Sequence, residues 1–210
     1  MRWIMKKNWY VPALLALTLF TLALPVSAAS ADRYRFRGQN VSAEWESFNG
    51  CLETFTYVFA AESQTHDAPG APSTTAGVSV GVSVYDYCAG ENLLSAFGSA
   101  TLPEGTRLIS GGLQSATIQA TVQAYDYISG ATVPVTVDLH WEGQGEITRS
   151  TNRSNYQSSG YRYSLSSSGT SRPASVTGDV TVAGVSYTSP ESLFYAALSQ
   201  SQYGSIFILR

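Results

Sequence analysis

The chain has 210 residues, 12 lysines and arginines against 15 carboxylates (formal charge −3), 44% hydrophobic residues and two cysteines. That length suits a leader plus one domain, and the acidic balance excludes a polycationic binder of nucleic acid or anionic lipid. The sequence also lacks a phosphate-binding glycine loop, a dinucleotide fingerprint, a metal-type Cys/His cluster and a zinc-protease helix motif.

Arg2, Lys6 and Lys7 precede an apolar run from Val11 to Val26, and Ala29-Ser30-Ala31 ahead of Asp32 is a small-x-small cleavage site. Residues 1–31 therefore read as a cleaved signal peptide, and residues 32–210 as a single secreted or extracytoplasmic domain with no stable membrane insertion. Loss of the three leader cations takes the charge from −3 to −6 and leaves nine arginines and no lysine. Arginines of that kind still make local bidentate contacts. In an oxidising compartment Cys51 and Cys88 read as a disulfide.

Beyond the leader, period-2 alternation dominates and no long helical period occurs. Val41 to Trp45 is the first predicted strand. A hairpin follows, in which Cys51, Phe55, Tyr57 and Phe59 share a phase, as do Val80, Val82, Val84 and Cys88. Placing Cys51 opposite Cys88 sets Phe55 against Val84 and Glu53 against Asp86, with a loop from Ser63 to Thr75. Leu94 to Leu102 is the next strand.

Ala116 to Trp141 is the clearest hairpin: Ile118, Ala120, Val122, Ala124 and Ile128 share one face, and Val133, Val135, Val137, Leu139 and Trp141 another. Pairing Ile128 with Ala131 across a two-residue turn sets these rows side by side. Pro134 points to an edge or bulge in the return strand. Arg149 to Arg172 reads as a long loop leading into an exposed hairpin. Tyr161 to Leu165, Ala174 to Val182, Ser192 to Leu198 and Ser205 to Leu209 bring the total to nine or ten strands. Such a set predicts an all-β, antiparallel sandwich, with a closed barrel as the alternative.

One hairpin is written twice. Val82-Ser83-Val84-Tyr85-Asp86-Tyr87-Cys88-Ala89-Gly90 recurs as Val122-Gln123-Ala124-Tyr125-Asp126-Tyr127-Ile128-Ser129-Gly130. Asp86 and Asp126 read as turn acids that accept N–H bonds from the residues after them. Tyr85, Tyr87, Tyr125 and Tyr127 fall opposite the aliphatic phase, as a row that can stack on sugar rings. Arg153, Tyr156, Tyr161 and Arg162 are the candidate contact residues of the serine-rich segment. Glu53 facing Asp86 is a weak Ca²⁺ candidate, with no calcium-binding loop spacing beside it.

The functional reading is a secreted, non-enzymatic module that binds an extracellular glycan or protein surface, with polysaccharide as the first ligand class to test. Nucleic acid is not an expected partner, and no catalytic residue is assigned. The alternatives are a secreted hydrolase using strand-borne carboxylates such as Asp138 and Glu142, which flank His140, and an outer-membrane β-barrel. Gly77-Val78-Ser79-Val80-Gly81 matches a nucleophile elbow in letters only, because it lies inside an alternating strand. His66 reads as a solvated loop residue.

Overall fold

A computed structural model describes residues 31–188 and 193–209. The predicted leader lies outside the described residues apart from Ala31. Among the described residues every regular element is a β-strand: β1 Ala31–Asn49, β2 Leu52–Ala68, β3 Ser73–Asp86, β4 Glu91–Thr101, β5 Ile109–Ser110, β6 Ser115–Asp126, β7 Ala131–Gly143, β8 Thr148–Gln157, β9 Tyr161–Val182, β10 Val185–Thr188 and β11 Leu193–Leu209. All pair antiparallel in one 11-stranded sheet, β10-β9-β11-β1-β2-β3-β4-β6-β5, with β7 joining β6 to β9 and β8 added on β9.

The sheet folds over itself into a sandwich-like all-β domain. One layer contains β11, β1, β2, β3 and β4, and the other β6, β7 and the second half of β9. Two joints connect them. Ala96–Gly98 of β4 pairs with Ala124–Asp126 of β6. At the other edge, β9 pairs with β11 as far as Pro173 and with β7 from Ala174 onward. Gly98 stands at the first joint because the strands nearly touch there: a Cβ would lie 2.7 Å from the Ala124 Cα and the Gln123 carbonyl oxygen.

Between the layers lie Val41, Ala43 and Trp45 of β1, Val58 and Ala60 of β2, Val78, Val80 and Val82 of β3, and Val135, Val137, Leu139 and Trp141 of β7, all buried. Trp141 is fully enclosed and its Nε1–H donates to the Ser42 carbonyl at 2.9 Å, so one side chain ties the two layers together.

The β6–β7 hairpin keeps the expected faces but not the expected register. Asp126, not Ile128, pairs with Ala131, and a four-residue turn replaces the two-residue one. The shift is two residues, so every face is kept while the partners move: Val122 meets Val135 instead of Val137, and Ile118 meets Leu139 instead of Trp141. Ile128 leaves the core and is 50% exposed in the turn. Pro134 lies just past the β7–β9 ladder, which begins at Val135, and its carbonyl accepts the Ala183 N–H.

The β2–β3 hairpin differs from expectation by a single residue, which changes more. Leu52 pairs with Asp86, Thr54 with Val84 and Val58 with Val80. Thr56, Val58 and Ala60 are therefore the buried face of β2, and Phe55, Tyr57 and Phe59 lie outside, opposite Ser83, Gly81 and Ser79. The cause is that Cys51 stands in the turn before β2, outside the ladder. The sulfurs are joined across the ends of the hairpin, with Cα atoms 5.5 Å apart, without setting its register.

The serine-rich segment is sheet rather than loop. β8 and the first half of β9 form a ladder from Thr148–Ser171 to Gln157–Arg162. β9 also runs unbroken through two strands predicted separately, as does β11 through the last two. With the outer halves of β1, β2 and β11 they extend the sheet beyond the core as an arm. The inner faces mark the boundary: Trp45, Ala43 and Val41 on β1 give way to Gln39, Arg37, Arg35 and Arg33. Gln39 and Glu62 close the core there, accepting the Ile109 and Leu108 N–H groups at 3.3 Å.

Candidate binding surfaces

The two Tyr-Asp-Tyr segments end β3 and β6 and turn the same way. Gly90 N–H returns to the Asp86 carbonyl at 2.7 Å and Gly130 N–H to the Asp126 carbonyl at 2.9 Å. Both glycines have positive φ, 72° and 70°, a conformation that glycine adopts without a Cβ penalty. Each aspartate caps its turn. Asp86 Oδ1 accepts the N–H groups of Cys88 and Ala89 at 2.8 and 3.1 Å, and Asp126 accepts those of Ile128 and Ser129 at 3.1 and 3.2 Å.

The two turns are held to their neighbours differently. Tyr87 N–H donates to the Cys51 carbonyl and Tyr127 N–H to the Ser95 carbonyl, each at 2.9 Å. At the first turn the disulfide adds a covalent tie. At the second, buried Asp126 reaches across to Ser95 N–H at 3.0 Å and takes the Ser129 hydroxyl at 2.6 Å. The Ser129 hydroxyl and the backbone donors, led by Ser95, hold the Asp126 carboxyl down at about 2 despite burial.

These turns present tyrosine rings outward. Tyr85 and Tyr87 meet edge to face with centroids 4.9 Å apart, and Tyr125 and Tyr127 do the same at 5.1 Å. Tyr87, Tyr125 and Tyr127 are 60%, 47% and 65% exposed, and Tyr85 is half-buried. The rings pack on each other and remain open on their other sides. The Tyr87 hydroxyl donates to Glu53 at 2.5 Å. Hydrogen bonds from Glu46 and then Tyr87 lower the Glu53 carboxyl, whereas the same contact with Glu53 raises Glu46.

One register row extends the surface in a way the sequence did not suggest. Tyr57, Gly81, Phe97 and Tyr125 pair in turn across β2, β3, β4 and β6. Phe97 is 49% exposed, and its ring lies over Gly81, where a Cβ would stand 3.5 Å from the Phe97 Cδ2. The signal was the alternation of Leu94, Ala96 and Gly98, which puts Phe97 on the opposite, outer side.

The other candidates are not brought together. Arg153 and Arg162 lie on the inner face of the arm, and Tyr156 and Tyr161 on its outer face, where their rings are 5.6 Å apart. Four residues of one expected contact loop thus belong to two surfaces, because strands alternate sides. Glu53 faces Tyr85 and lies on the side of the sheet opposite Asp86, so the pair cannot share a Ca²⁺. Cys51, Asp86 and Cys88 place ligand-type atoms within 4.8 Å of one another, but both sulfurs are in the disulfide. His140 and Asp138 are exposed on β7 and bond to Thr117 and Gln119 of β6. Ser79 is an outward mid-strand residue, and His66 belongs to β2, opposite Arg35. The chain matches no family model, no curated protein and no solved structure.

Proposed function

We propose that this chain is an exported, non-enzymatic binding module whose ligand is a polysaccharide, engaged at the end of the domain that carries the two tyrosine turns. The observation that carries the reading is the exposure of Tyr87, Tyr125 and Tyr127 on turns fixed by aspartate caps, a disulfide and glycines with positive φ. Rings held rigidly in water cost little entropy to engage, and stacking on a sugar face leaves their hydroxyls free to bond its rim. Phe97 enlarges the platform beside Tyr125.

The disulfide is compatible with a compartment outside the cytoplasm. The aliphatic rows turn inward while Thr117, Gln119, Thr121 and Gln123 of β6 point out, the reverse of a lipid-facing sheet. The test is co-sedimentation of the chain from Asp32 with neutral insoluble glycans and cell-wall preparations. Retention that disappears in Tyr125→Ala/Tyr127→Ala, with thermal unfolding unchanged, supports the reading. Retention by none of these materials, or equal retention of the variant, overturns it.

A further inference from the structure

We propose that the inner face of the arm is a second ligand site, for an acidic polysaccharide whose carboxylates seat between Arg35 and Arg153 over Gly204 and Ser166. It goes beyond the tyrosine surface and does not rest on it, since the two lie at opposite ends of β1, about 30 Å apart.

The site is a single register row. Arg35 of β1 pairs with Gly204 of β11, Gly204 with Ser166 of β9, and Ser166 with Arg153 of β8. Two guanidinium side chains therefore rise on either side of a floor made by a glycine and a small hydroxyl. The result is a trough of about 660 Å³, adjoined by a second of about 440 Å³ that shares all four residues. Arg33 and Arg37 continue the wall along β1, each about 7 Å from Arg35 by strand geometry. His66 stands opposite Arg35 on the other side.

The charge distribution calls for an anion. Arg33, Arg35, Arg37, Arg149, Arg153 and Arg162 share this face, in a chain whose mature charge is negative. Among the described residues of the five arm strands, Glu62 alone places a carboxylate there, and it is occupied by the Leu108 N–H. Asp32 and Asp67 fall on the other face by alternation. Arg172, at the base, is bonded to the carbonyls of Leu113 and Gly145. Like charges gathered about 7 Å apart repel, and a bound anion removes that cost. Guanidinium groups suit carboxylate because the two planar groups make parallel hydrogen bonds.

The rest of the lining selects sugar over nucleic acid. Ser164, Ser168, Thr151 and Gln202 offer hydroxyls and an amide to carbohydrate hydroxyls. The rings that would stack bases, such as Tyr34, Tyr163, Tyr203 and Phe207, lie on the opposite face; Tyr34 and Tyr203 pack edge to face at 5.7 Å.

The experiment is affinity electrophoresis of the chain from Asp32 in gels containing polygalacturonate, neutral dextran or single-stranded DNA, at low and high salt. The expected result is retardation by polygalacturonate at low salt, weakened about tenfold or more in Arg35→Gln/Arg153→Gln. Gly204→Leu must also weaken it: Gly204 has no positive φ and tolerates a Cβ, but a larger side chain fills the trough and leaves every charge in place. Unchanged thermal unfolding of both variants excludes misfolding as the cause. No retardation by polygalacturonate, equal retardation by DNA, or wild-type behaviour of Gly204→Leu overturns the proposal. Each leaves the tyrosine surface to its own test.

Discussion

β1, β2, β9 and β11 each run through two regions built on different principles. In the body, the inner residues of β1 are Val41, Ala43 and Trp45, buried against the second layer. In the arm, the same side of the same strand carries Arg33, Arg35 and Arg37, all exposed. The backbone ladder is as continuous in the arm as in the body, with β1 paired to β11 from Ala31 to Trp45. The hydrogen-bond ladder thus sets how far a strand extends, whereas apolar burial sets where stability resides. A sheet that outruns its core gains two faces whose side chains packing does not constrain.

Substitutions should separate the two regions in order of effect. Trp141→Ala removes the side chain that joins the layers, and a loss of about 3–5 kcal/mol is expected in urea unfolding. A loss under about 1 kcal/mol would mean that the layers do not depend on one another. Replacing both cysteines by serine should cost roughly 2–4 kcal/mol by the same measurement, because the 37-residue separation is then closed without a crosslink.

Asp126→Ala should cost about 1–3 kcal/mol, and the same change at the more exposed Asp86 less than about 1 kcal/mol. The Asp126 carboxyl also predicts a pH dependence. Its folded pKa of about 2 lies below its unfolded value near 4, so its contribution is complete above pH 4 and is lost as pH falls towards 2. Urea midpoints measured down that range should fall less steeply in Asp126→Asn than in the parent. At the small end, Arg35→Gln/Arg153→Gln should change stability by no more than about 0.5 kcal/mol, because both arginines are exposed. A larger loss would show that the arm is structural.

The same division decides what was legible in the sequence. The β6–β7 hairpin could be read because Ile118, Val122, Val135 and Leu139 alternate with polar residues, and an error of two residues in register left every face intact. At β2–β3 a shift of one residue makes Val58 core in place of Tyr57, because the cysteines are not directly opposed in the ladder and the aromatic row alternates as regularly as the buried one. Most of the arm went unread: Arg33-Tyr34-Arg35-Phe36-Arg37 alternates as strictly as any core strand, but between cations and rings instead of between polar and apolar. Hydrophobic period has no purchase on such a strand. Once β8 and β9 are known to be strands, alternation alone divides Arg153 and Arg162 from Tyr156 and Tyr161.

We propose that the body and the arm do different binding work, through the aromatic turns that end β3 and β6 on the body and through an arginine trough on the arm. One measurement tests it most directly: retention of the chain from Asp32 on a neutral insoluble glycan and on immobilised polygalacturonate, with Tyr125→Ala/Tyr127→Ala and Arg35→Gln/Arg153→Gln compared side by side. The tyrosine pair should abolish only the first, and the arginine pair should weaken only the second, by about tenfold or more. If either variant lost both, or if neither lost anything, the two-site account would be contradicted.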